Sequence, residues 1–399
     1  MNIRPETPAT AADRRAQLSR LRDWVALQRT AMLADLRRYV NLETPSDDRG
    51  CLQAALPLIE RWLVDSLGTP ERRRRVDGGD YGDTLVLDWS GTGDAPVVLL
   101  CHYDTVWSRG TVERRSFALD GDRATGPGIF DMKAGLVQAV WALRALDAAG
   151  LPRPAVRLVL NGDEEVGSLS SRPVIEAEAA GAPAVLVFEA SADSAVKTAR
   201  KGVGLFRLTA TGREAHAGLD PTKGVSAVDE IARAILAVHG LSRPEAGTTV
   251  NVGTVHGGTR SNVTAGRAVA DLDVRVADRS EAERIDRGLA ALRPHHPEAS
   301  IEVGGEWNRP VMERTPGGAR LYDLARRVAS DLGFALRECS VGGASDGNFA
   351  AALGLPVLDG LGAVGDGAHA RSEHISVSGM TERCALAAGV LLELGTPVA

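Results

Sequence analysis

Residues 155–168, AVRLVLNGDEEVGS, join a short apolar run to three consecutive acidic residues. The run 155–160 is typical of a buried β-strand, and Asp163, Glu164 and Glu165 follow at its carboxyl end. Adjacent carboxylates repel one another, and the end of a buried strand solvates them poorly. This stretch alone leaves two explanations open: a solvated acidic turn, or a cation site that leaves one carboxylate for proton transfer.

Similar apolar runs alternate with helical patterns on both sides of this stretch. The predicted strands are residues 84–87, 96–100, 155–160, 184–188, 336–341 and 356–359. The predicted helices are residues 14–42, 52–67, 132–149, 318–333, 345–353 and 380–394. Short apolar strands that alternate with helices predict an α/β fold, with a mostly parallel central sheet and flanking helices.

The pattern changes between residues 199 and 311. Four strands with alternating polarity and two amphipathic helices follow in the order β-α-β-β-α-β, which is the ferredoxin-like motif. We therefore predict one domain made of residues 1–198 and 312–399, and a second, smaller domain of residues 199–311 inserted into it.

Composition excludes several classes of partner. The 399 residues carry a net charge of −6, which disfavours nucleic acid and anionic membranes as partners. No apolar run approaches the roughly 20 residues of a membrane span. The N-terminal stretch MNIRPETPATAADRRAQL lacks the apolar core of a signal peptide, so a cytoplasmic location is expected.

Further residues of the types that bind metals follow other predicted strands. His102 and Asp104, in VVLLCHYDTV, are two residues apart and point to one side of an extended chain. Glu189 ends the apolar run VLVFEAS, and Asp131 follows the glycine-rich turn in ATGPGIFDMKAG. Taken alone, Asp131 could be a helix N-cap and His102 a structural residue. Together, imidazole and carboxylate groups at several strand ends indicate a zinc-type site.

The motifs HYDTV, GPGIFDMKAG, NGDEEVGS, VLVFEAS, REAHAGLDPTKG, GGTRSNV and GGASDGN resemble one known family in order and spacing. This is the zinc exopeptidase family of glutamate carboxypeptidase, acetylornithine deacetylase, succinyl-diaminopimelate desuccinylase and aminoacylase. The resemblance covers the chain from about residue 30 to its end. The folate-hydrolysing glutamate carboxypeptidases are the most similar subgroup, and the inserted domain resembles the family's dimerisation or lid domain.

The resemblance implies two zinc ions in each subunit, for which Co²⁺ or Mn²⁺ could substitute. In the family pattern Asp131 bridges the ions, His102 and Glu189 bind the first, and Glu165 and His369 bind the second. His374 is a rival to His369, but His369 fits the pattern because Glu373 follows it after three residues. The family also implies a cis peptide bond between Asp131 and Met132.

The same resemblance implies the catalytic and substrate-binding roles. Glu164 is the general base, Asp104 orients the ring of His102, and His216 stabilises the oxyanion in the active site of the partner subunit of a homodimer. Without the resemblance, His216 would be interpreted as a surface or packing residue and Lys197 as a solvated lysine at a domain junction. The residues expected to contact substrate are Lys197, Asn262, Arg275, Arg309 and Gly343.

These features predict a dizinc metallopeptidase that cleaves the amide bond to a C-terminal amino acid, with glutamate or another acidic residue expected. The alternative is an N-acyl-amino-acid deacylase, because the same residues would catalyse both reactions. A non-catalytic metal-binding dimer is a remote alternative, since a pure binder has no need of a base beside its ligand. The expected partners are a small peptide or N-acyl amino acid and a second copy of the chain.

Overall fold

The computed structural model describes residues 11–396, so most of the polar N-terminal stretch considered above lies outside the described residues. The helices are α1 Ala11–Leu27, α2 Arg29–Val40, α3 Arg49–Leu67, α4 Thr111–Arg114, α5 Ala134–Ala149, α6 Arg172–Ala179, α7 Ala227–His239, α8 Arg279–Ala290, α9 Pro316–Leu332, α10 Gly347–Ala352 and α11 Val377–Gly395. The strands are β1 Arg72–Val76, β2 Gly82–Trp89, β3 Thr92–His102, β4 Ala118–Asp120, β5 Arg123–Thr125, β6 Pro154–Gly162, β7 Val185–Val187, β8 Ala195–Arg200, β9 Gly202–Thr211, β10 Thr249–Gly257, β11 Arg267–Val276, β12 Ser300–Arg309, β13 Arg337–Val341, β14 Val357–Leu358, β15 Gly365–Asp366 and β16 His374–Ser376.

The described residues form two compact units. The first contains the residues up to Thr198, then Arg314–Ser340 and the residues from Ser345 onward. The second contains Ala199–Glu313 and Val341–Ala344. Among residues 11–396, no helix has the length and apolar character needed to cross a membrane.

The first unit is built on a six-stranded sheet in the order β1-β2-β6-β3-β7-β14. β6, β3, β7 and β14 are parallel to one another, and β1 and β2 extend the sheet in antiparallel fashion. This arrangement confirms the predicted α/β class with a mostly parallel central sheet. Because β3 lies between β6 and β7, the carboxyl ends of these three strands meet at one edge of the sheet.

Helix α5 is the buried centre of the first unit. Its residues from Ala134 to Leu143 are all buried, and they pack in one apolar cluster with side chains of the sheet and of α1, α9 and α11. Gly135 allows the start of α5 to approach the end of β7, because a Cβ at this position would lie 1.9 Å from the carbonyl oxygen of Phe188. This close approach brings the turn before α5 next to the residues that follow β7.

The edge strand β1 consists of four arginines and a valine. Arg72 pairs with Asp88 and Glu178, and Arg74 also pairs with Glu178. On the alternate positions, Arg73 pairs with Glu60 and Arg75 with Asp83. At the opposite edge of the sheet, β14 has only two residues.

The second unit contains a four-stranded antiparallel sheet in the order β10-β11-β9-β12. Along the chain its elements follow as strand, helix, strand, strand, helix, strand, from β9 to β12 with α7 and α8. Alternate residues of β11 are buried, and they pack against apolar side chains of both helices. A dimerisation or lid role for this unit stays a prediction.

One predicted helix is divided in the structure and another begins after an irregular turn, while four others differ from their predicted bounds by one to three residues at their ends. The helix expected at residues 14–42 is divided into α1 and α2 at Gln28. The helix expected at 132–149 begins only at Ala134, because Asp131 has extended backbone angles (φ −117°, ψ 98°) within a wide turn. This turn carries one of the acidic residues expected to bind metal.

Candidate metal centre and catalytic site

Five of the predicted site residues of the first unit converge where the parallel strands end. His102 is the last residue of β3, Glu165 follows β6 by three residues, and Glu189 follows β7 by two. Asp131 lies in the turn before α5, and His369 lies in the loop between β15 and β16. In parallel sheets this edge is where ligand sites form, because side chains from separate loops meet there.

The five side chains form two groups that share Asp131. The Nε2 atom of His102 lies 3.4 Å from Asp131 Oδ1 and 3.3 Å from Glu189 Oε1. The Nε2 atom of His369 lies 3.3 Å from Asp131 Oδ2 and 3.0 Å from Glu165 Oε2. Within each group the potential ligand atoms all lie within 4.8 Å of one another.

The chemistry of these groups fits divalent metal ions. His102 Nε2 and Glu165 Oε1 are buried and have no hydrogen-bond partner among the described residues. Burial and the Asp131 carboxylate raise the pKa of Glu165 to about 7, so the negative charge of Glu165 is poorly stabilised at this position. Hydrogen bonds to Asp131 and Glu165 raise the pKa of His369 to about 10, because an imidazolium offsets part of that charge. A divalent cation in each group would offset it through imidazole nitrogen and carboxylate oxygen.

Asp104 connects both groups. Its Oδ1 atom lies 3.3 Å from His102 Nδ1, which also lies 3.1 Å from the backbone oxygen of Asp104. The buried carboxylate accepts hydrogen bonds from the backbone N–H groups of Glu164 (3.2 Å) and Glu165 (3.1 Å). Asp104 is therefore placed to orient the ring of His102 and to hold the turn that carries both glutamates.

The three acidic residues after β6 have three different environments. Asp163 is fully buried and turned away from both groups: its Oδ2 accepts hydrogen bonds from the backbone N–H groups of Ser170 (2.7 Å) and Ser171 (3.2 Å) and from the Ser170 hydroxyl (2.8 Å). Glu165 belongs to the second group, whereas half-buried Glu164 belongs to neither. This separation of roles explains how three consecutive carboxylates are accommodated at the end of a buried strand.

Replacing Asp163 by alanine should destabilise the protein rather than act directly on a metal. The substitution leaves one buried donor, Ser171 N–H, and two half-buried donors of Ser170 without their acceptor, so the free energy of unfolding should fall by about 3 kcal/mol. Urea denaturation measures this change, with Asp65→Ala, an exposed position on α3, as the control. Unchanged stability with loss of bound metal would instead make Asp163 part of the metal centre.

Glu373 supports the turn that carries Asp131. It is fully buried, and its carboxylate accepts hydrogen bonds from the backbone N–H groups of Gly128, Phe130 and Asp131. Burial raises the pKa of Glu373, although these hydrogen bonds act in the opposite direction. The peptide bond between Asp131 and Met132 is cis, which confirms that prediction. The sequence pattern had marked Glu373 only as a neighbour of His369.

The two histidines near the C-terminus have different positions. His369 faces Asp131 and Glu165 and has a left-handed backbone (φ 61°). His374 lies in β16, where its Nδ1 is 3.0 Å from the backbone oxygen of Ser372, and it belongs to neither group. The geometry therefore favours His369 over its rival.

The other predicted site residues include one in the first unit and five in the second. Lys197 is buried in β8, where its backbone forms hydrogen bonds in both directions with Asp359. The residues of the second unit are His216, Asn262, Arg275, Arg309 and Gly343.

His216 and Asn262 lie in neighbouring loop segments of the second unit. The backbone oxygen of Asn262 accepts a hydrogen bond from Ala217 N–H. His216 Nδ1 accepts hydrogen bonds from the N–H groups of Gly218 and Leu219, at 3.1 Å each. A neutral ring that accepts at Nδ1 carries its proton on Nε2, so exposed His216 can act as a hydrogen-bond donor there.

The two arginines expected to bind substrate differ in their environment. The guanidinium of Arg275 forms a bidentate ion pair with Asp273, with both distances 2.8 Å. Arg309 is buried at the end of β12. Because Arg275 is paired with Asp273, a substrate carboxylate at Arg275 would have to compete with Asp273.

Gly343 is the last of the predicted substrate contacts. Its backbone oxygen accepts a hydrogen bond from Arg200.

Comparison with known proteins identifies the family. Residues 98–393 match peptidase family M20/M25/M40, and this span includes the five residues of both metal-type groups. The chain belongs to peptidase family M20/M25/M40. The family resemblance seen in the motifs is thereby confirmed, and this M20 protein is a metal-dependent amidohydrolase.

Individual relatives of this M20 protein cover nearly its whole length. Carboxypeptidase G2 of Pseudomonas sp. (strain RS-16) is 31% identical over 399 residues, covering 97% of this chain and 96% of the relative. Succinyl-diaminopimelate desuccinylase of Delftia acidovorans is 26% identical over 385 residues, covering 88% and 94%. A solved tripeptidase from Staphylococcus aureus superposes with a TM-score of 0.77 at 20% identity, covering 92% of this chain and 98% of that one, and supports the M20 fold.

Proposed function

We propose that this protein is a two-zinc amidohydrolase that releases a C-terminal acidic amino acid, with glutamate as the expected residue. The main support is the geometry of Asp131, whose two oxygens face different groups: Oδ1 faces His102 and Oδ2 faces His369. Glu164 lies one residue before Glu165 and outside both groups. A shared carboxylate with a separate neighbouring glutamate is what a two-metal hydrolase with a general base requires.

In this proposal each group holds one ion. His102, Asp131 and Glu189 would hold the first, and Asp131, Glu165 and His369 the second. The mixed nitrogen and oxygen donors suit zinc, and Co²⁺ or Mn²⁺ would be accepted as substitutes. The ions would supply Lewis acidity, which polarises the amide carbonyl and makes water more acidic.

Side chains of the protein transfer the proton, orient the His102 ring and stabilise the oxyanion. Glu164 takes a proton from the attacking water and delivers it to the nitrogen of the leaving amine. Asp104 keeps the His102 ring in place and holds the turn of Glu164 and Glu165 through their N–H groups. His216 donates its Nε2–H to the developing oxyanion, and in our proposal it does so in the partner subunit of a homodimer formed through the second unit.

The preference for an acidic product rests on cationic residues. The candidates for contact with the substrate carboxylates are Lys197, Arg275 and Arg309, and at Arg275 a substrate carboxylate would compete with Asp273. Lys197 and Arg309 are both buried. Asn262 and the backbone at Gly343 complete the proposed substrate contacts.

A deacylase is the second candidate function. The 26% identical relative is named a succinyl-diaminopimelate desuccinylase, and the groups described above would serve either reaction. The two functions differ in which side of the amide bond is recognised, the amino acid or the acyl group. A substrate comparison therefore separates them.

The zinc-loaded protein should hydrolyse N-acyl-glutamate faster than acetylornithine or neutral dipeptides. We expect kcat/KM to differ by about 10-fold or more, the effect of one hydrogen bond to a charged group. Product release measured by HPLC across N-acyl-glutamate, N-acyl-aspartate, acetylornithine and dipeptides provides the test. Highest activity on acetylornithine, with no preference for an acidic residue, would instead favour the deacylase.

The residue behind the preference can be tested in the same assay. Lys197→Met should lower kcat/KM for N-acyl-glutamate by about 10-fold and leave neutral dipeptides unchanged. Lys201→Met, at a half-buried lysine four residues further on, is the matched control. Equal losses on acidic and neutral substrates would remove Lys197 from the recognition of the side chain.

A further inference from the structure

Each oxygen of the Glu373 carboxylate accepts two hydrogen bonds. Its Oε1 accepts hydrogen bonds from the backbone N–H groups of Phe130 (2.9 Å) and Asp131 (3.2 Å). Its Oε2 accepts hydrogen bonds from Gly128 N–H (3.0 Å) and from Trp107 Nε1–H (2.8 Å). Three of the four donors belong to the turn that carries Asp131, so this one side chain fixes the path of that turn.

The turn needs such support because its backbone is irregular. Gly128 has a left-handed conformation (φ 69°), and a Cβ there would lie 2.5 Å from Thr105 Cγ2. Phe130 and Asp131 lie in the first turn after Gly128, where backbone N–H groups have no acceptor within the helix. The Glu373 carboxylate accepts from both, in a region where water is excluded.

The backbone N–H and carbonyl groups of Glu373 also form hydrogen bonds. Arg115 Nη2 donates a hydrogen bond to the Glu373 backbone oxygen (2.9 Å). The Glu373 N–H donates to Ala370 O (3.0 Å), and Ala370 N–H donates to Gly367 O (2.9 Å). These contacts close the short loop that carries His369. Glu373 therefore belongs to the His369 loop through its backbone and to the Asp131 turn through its side chain.

We infer that Glu373 is a positioning residue that sets Asp131 and His369 at the spacing a metal ion between them requires. The inference rests on the proposed ligand set, because it assigns Glu373 a role through Asp131 and His369 rather than contact with the ion or the substrate. A group that orients metal ligands usually changes metal affinity about 10–100-fold when it is altered. Substitution of a residue that only stabilises the fold would not change metal affinity selectively.

The test measures binding of Co²⁺ to the full-length protein, without substrate. We expect Glu373→Gln to weaken Co²⁺ binding by about 10–100-fold in competition with a chelator, and to alter the visible absorption spectrum of the bound ion. The side-chain NH₂ group of glutamine is a hydrogen-bond donor, and it would face backbone N–H groups of the Asp131 turn that need an acceptor. Glu373→Asp keeps the charge but shortens the side chain, so it should recover part of the affinity.

Glu230 provides a matched control. It is also a buried glutamate whose carboxylate accepts two backbone N–H groups, those of His295 and His296, but it lies in the second unit. Glu230→Gln should lower thermal stability and leave the affinity and spectrum of Co²⁺ as in the wild type. If Glu373→Gln does not fold, Trp107→Phe removes one donor to the same carboxylate and should still change the spectrum.

The outcomes separate this inference from the proposed function. Wild-type affinity and spectrum in every folded Glu373 and Trp107 variant would overturn the positioning role. A wild-type protein that binds no Co²⁺ would overturn the proposed metal centre, and the positioning role with it. A wild type that binds Co²⁺ but hydrolyses none of the substrates would contradict the proposed function, while a shifted Glu373→Gln spectrum would still support the positioning role.

Discussion

Replacing Glu164 by alanine should remove nearly all turnover and leave the metal content unchanged. A general base contributes roughly 10²–10⁴-fold to the rate, and Glu164 lies outside both metal-type groups but, unlike Asp163, is only half-buried. The backbone N–H of Glu164, which the substitution keeps, donates a hydrogen bond to Asp104. Turnover per bound metal, with metal content from elemental analysis, measures both parts of the prediction.

Glu165→Ala is the matched comparison, one residue away in the same turn. Its Oε2 lies 3.0 Å from His369 Nε2, so its removal should lower metal content as well as activity. If Glu164→Ala instead loses metal while turnover per remaining ion persists, the roles of the two glutamates are reversed. Equal metal loss in both variants would make the turn a single metal-binding unit without a separate base.

Two inactive variants should restore activity to one another when their subunits exchange. We expect His216→Ala to lose about 10²–10³-fold in turnover, the contribution of one oxyanion donor. If His216 acts in the partner's active site, a heterodimer of Glu164→Ala and His216→Ala subunits has one site with both groups intact. Activity of the mixture, with exchange followed by native mass spectrometry of differently tagged chains, provides the measurement.

The hydrogen bonds of His216 make this role chemically reasonable. Its Nδ1 accepts two backbone N–H groups, which leaves the proton on Nε2, the nitrogen that would have to donate. A control mixture of Glu164→Ala with Glu165→Ala should stay inactive, because each substitution disables the active site of the subunit that carries it and neither site is then intact. Proven exchange without recovered activity would contradict the trans-acting role, and so would a fully active monomer.

The grouping at the sheet edge was predictable because it depends on short-range patterns. His102 and Glu189 end apolar runs, and Asp163, Glu164 and Glu165 follow another, so strand ends could be located from hydrophobicity alone. Parallel pairing of β3 with β6 and β7 then brings these ends together. The order β-α-β-β-α-β of the second unit was visible for the same reason.

Other features depend on contacts that no local pattern records. β1 was not predicted as a strand, because four arginines give no apolar alternation and its partners Glu60 and Glu178 are distant in sequence. The support of the Asp131 turn by Glu373 joins residues more than 240 positions apart. The inward orientation of Asp163 depends on serine N–H groups beyond a left-handed glycine, Gly167, so three adjacent acids in the sequence did not reveal which one is structural.

The charged side chains of β1 also affect whether a further strand can add to this edge of the sheet. An incoming strand would have to pair with an edge whose four arginines are already engaged with carboxylates, and it would desolvate those ion pairs. At the opposite edge, β14 offers only two residues as a template. In the second unit, the edge strand β10 carries no ionisable side chain apart from His256. Strand addition by another polypeptide would therefore meet far less electrostatic resistance at β10 than at β1.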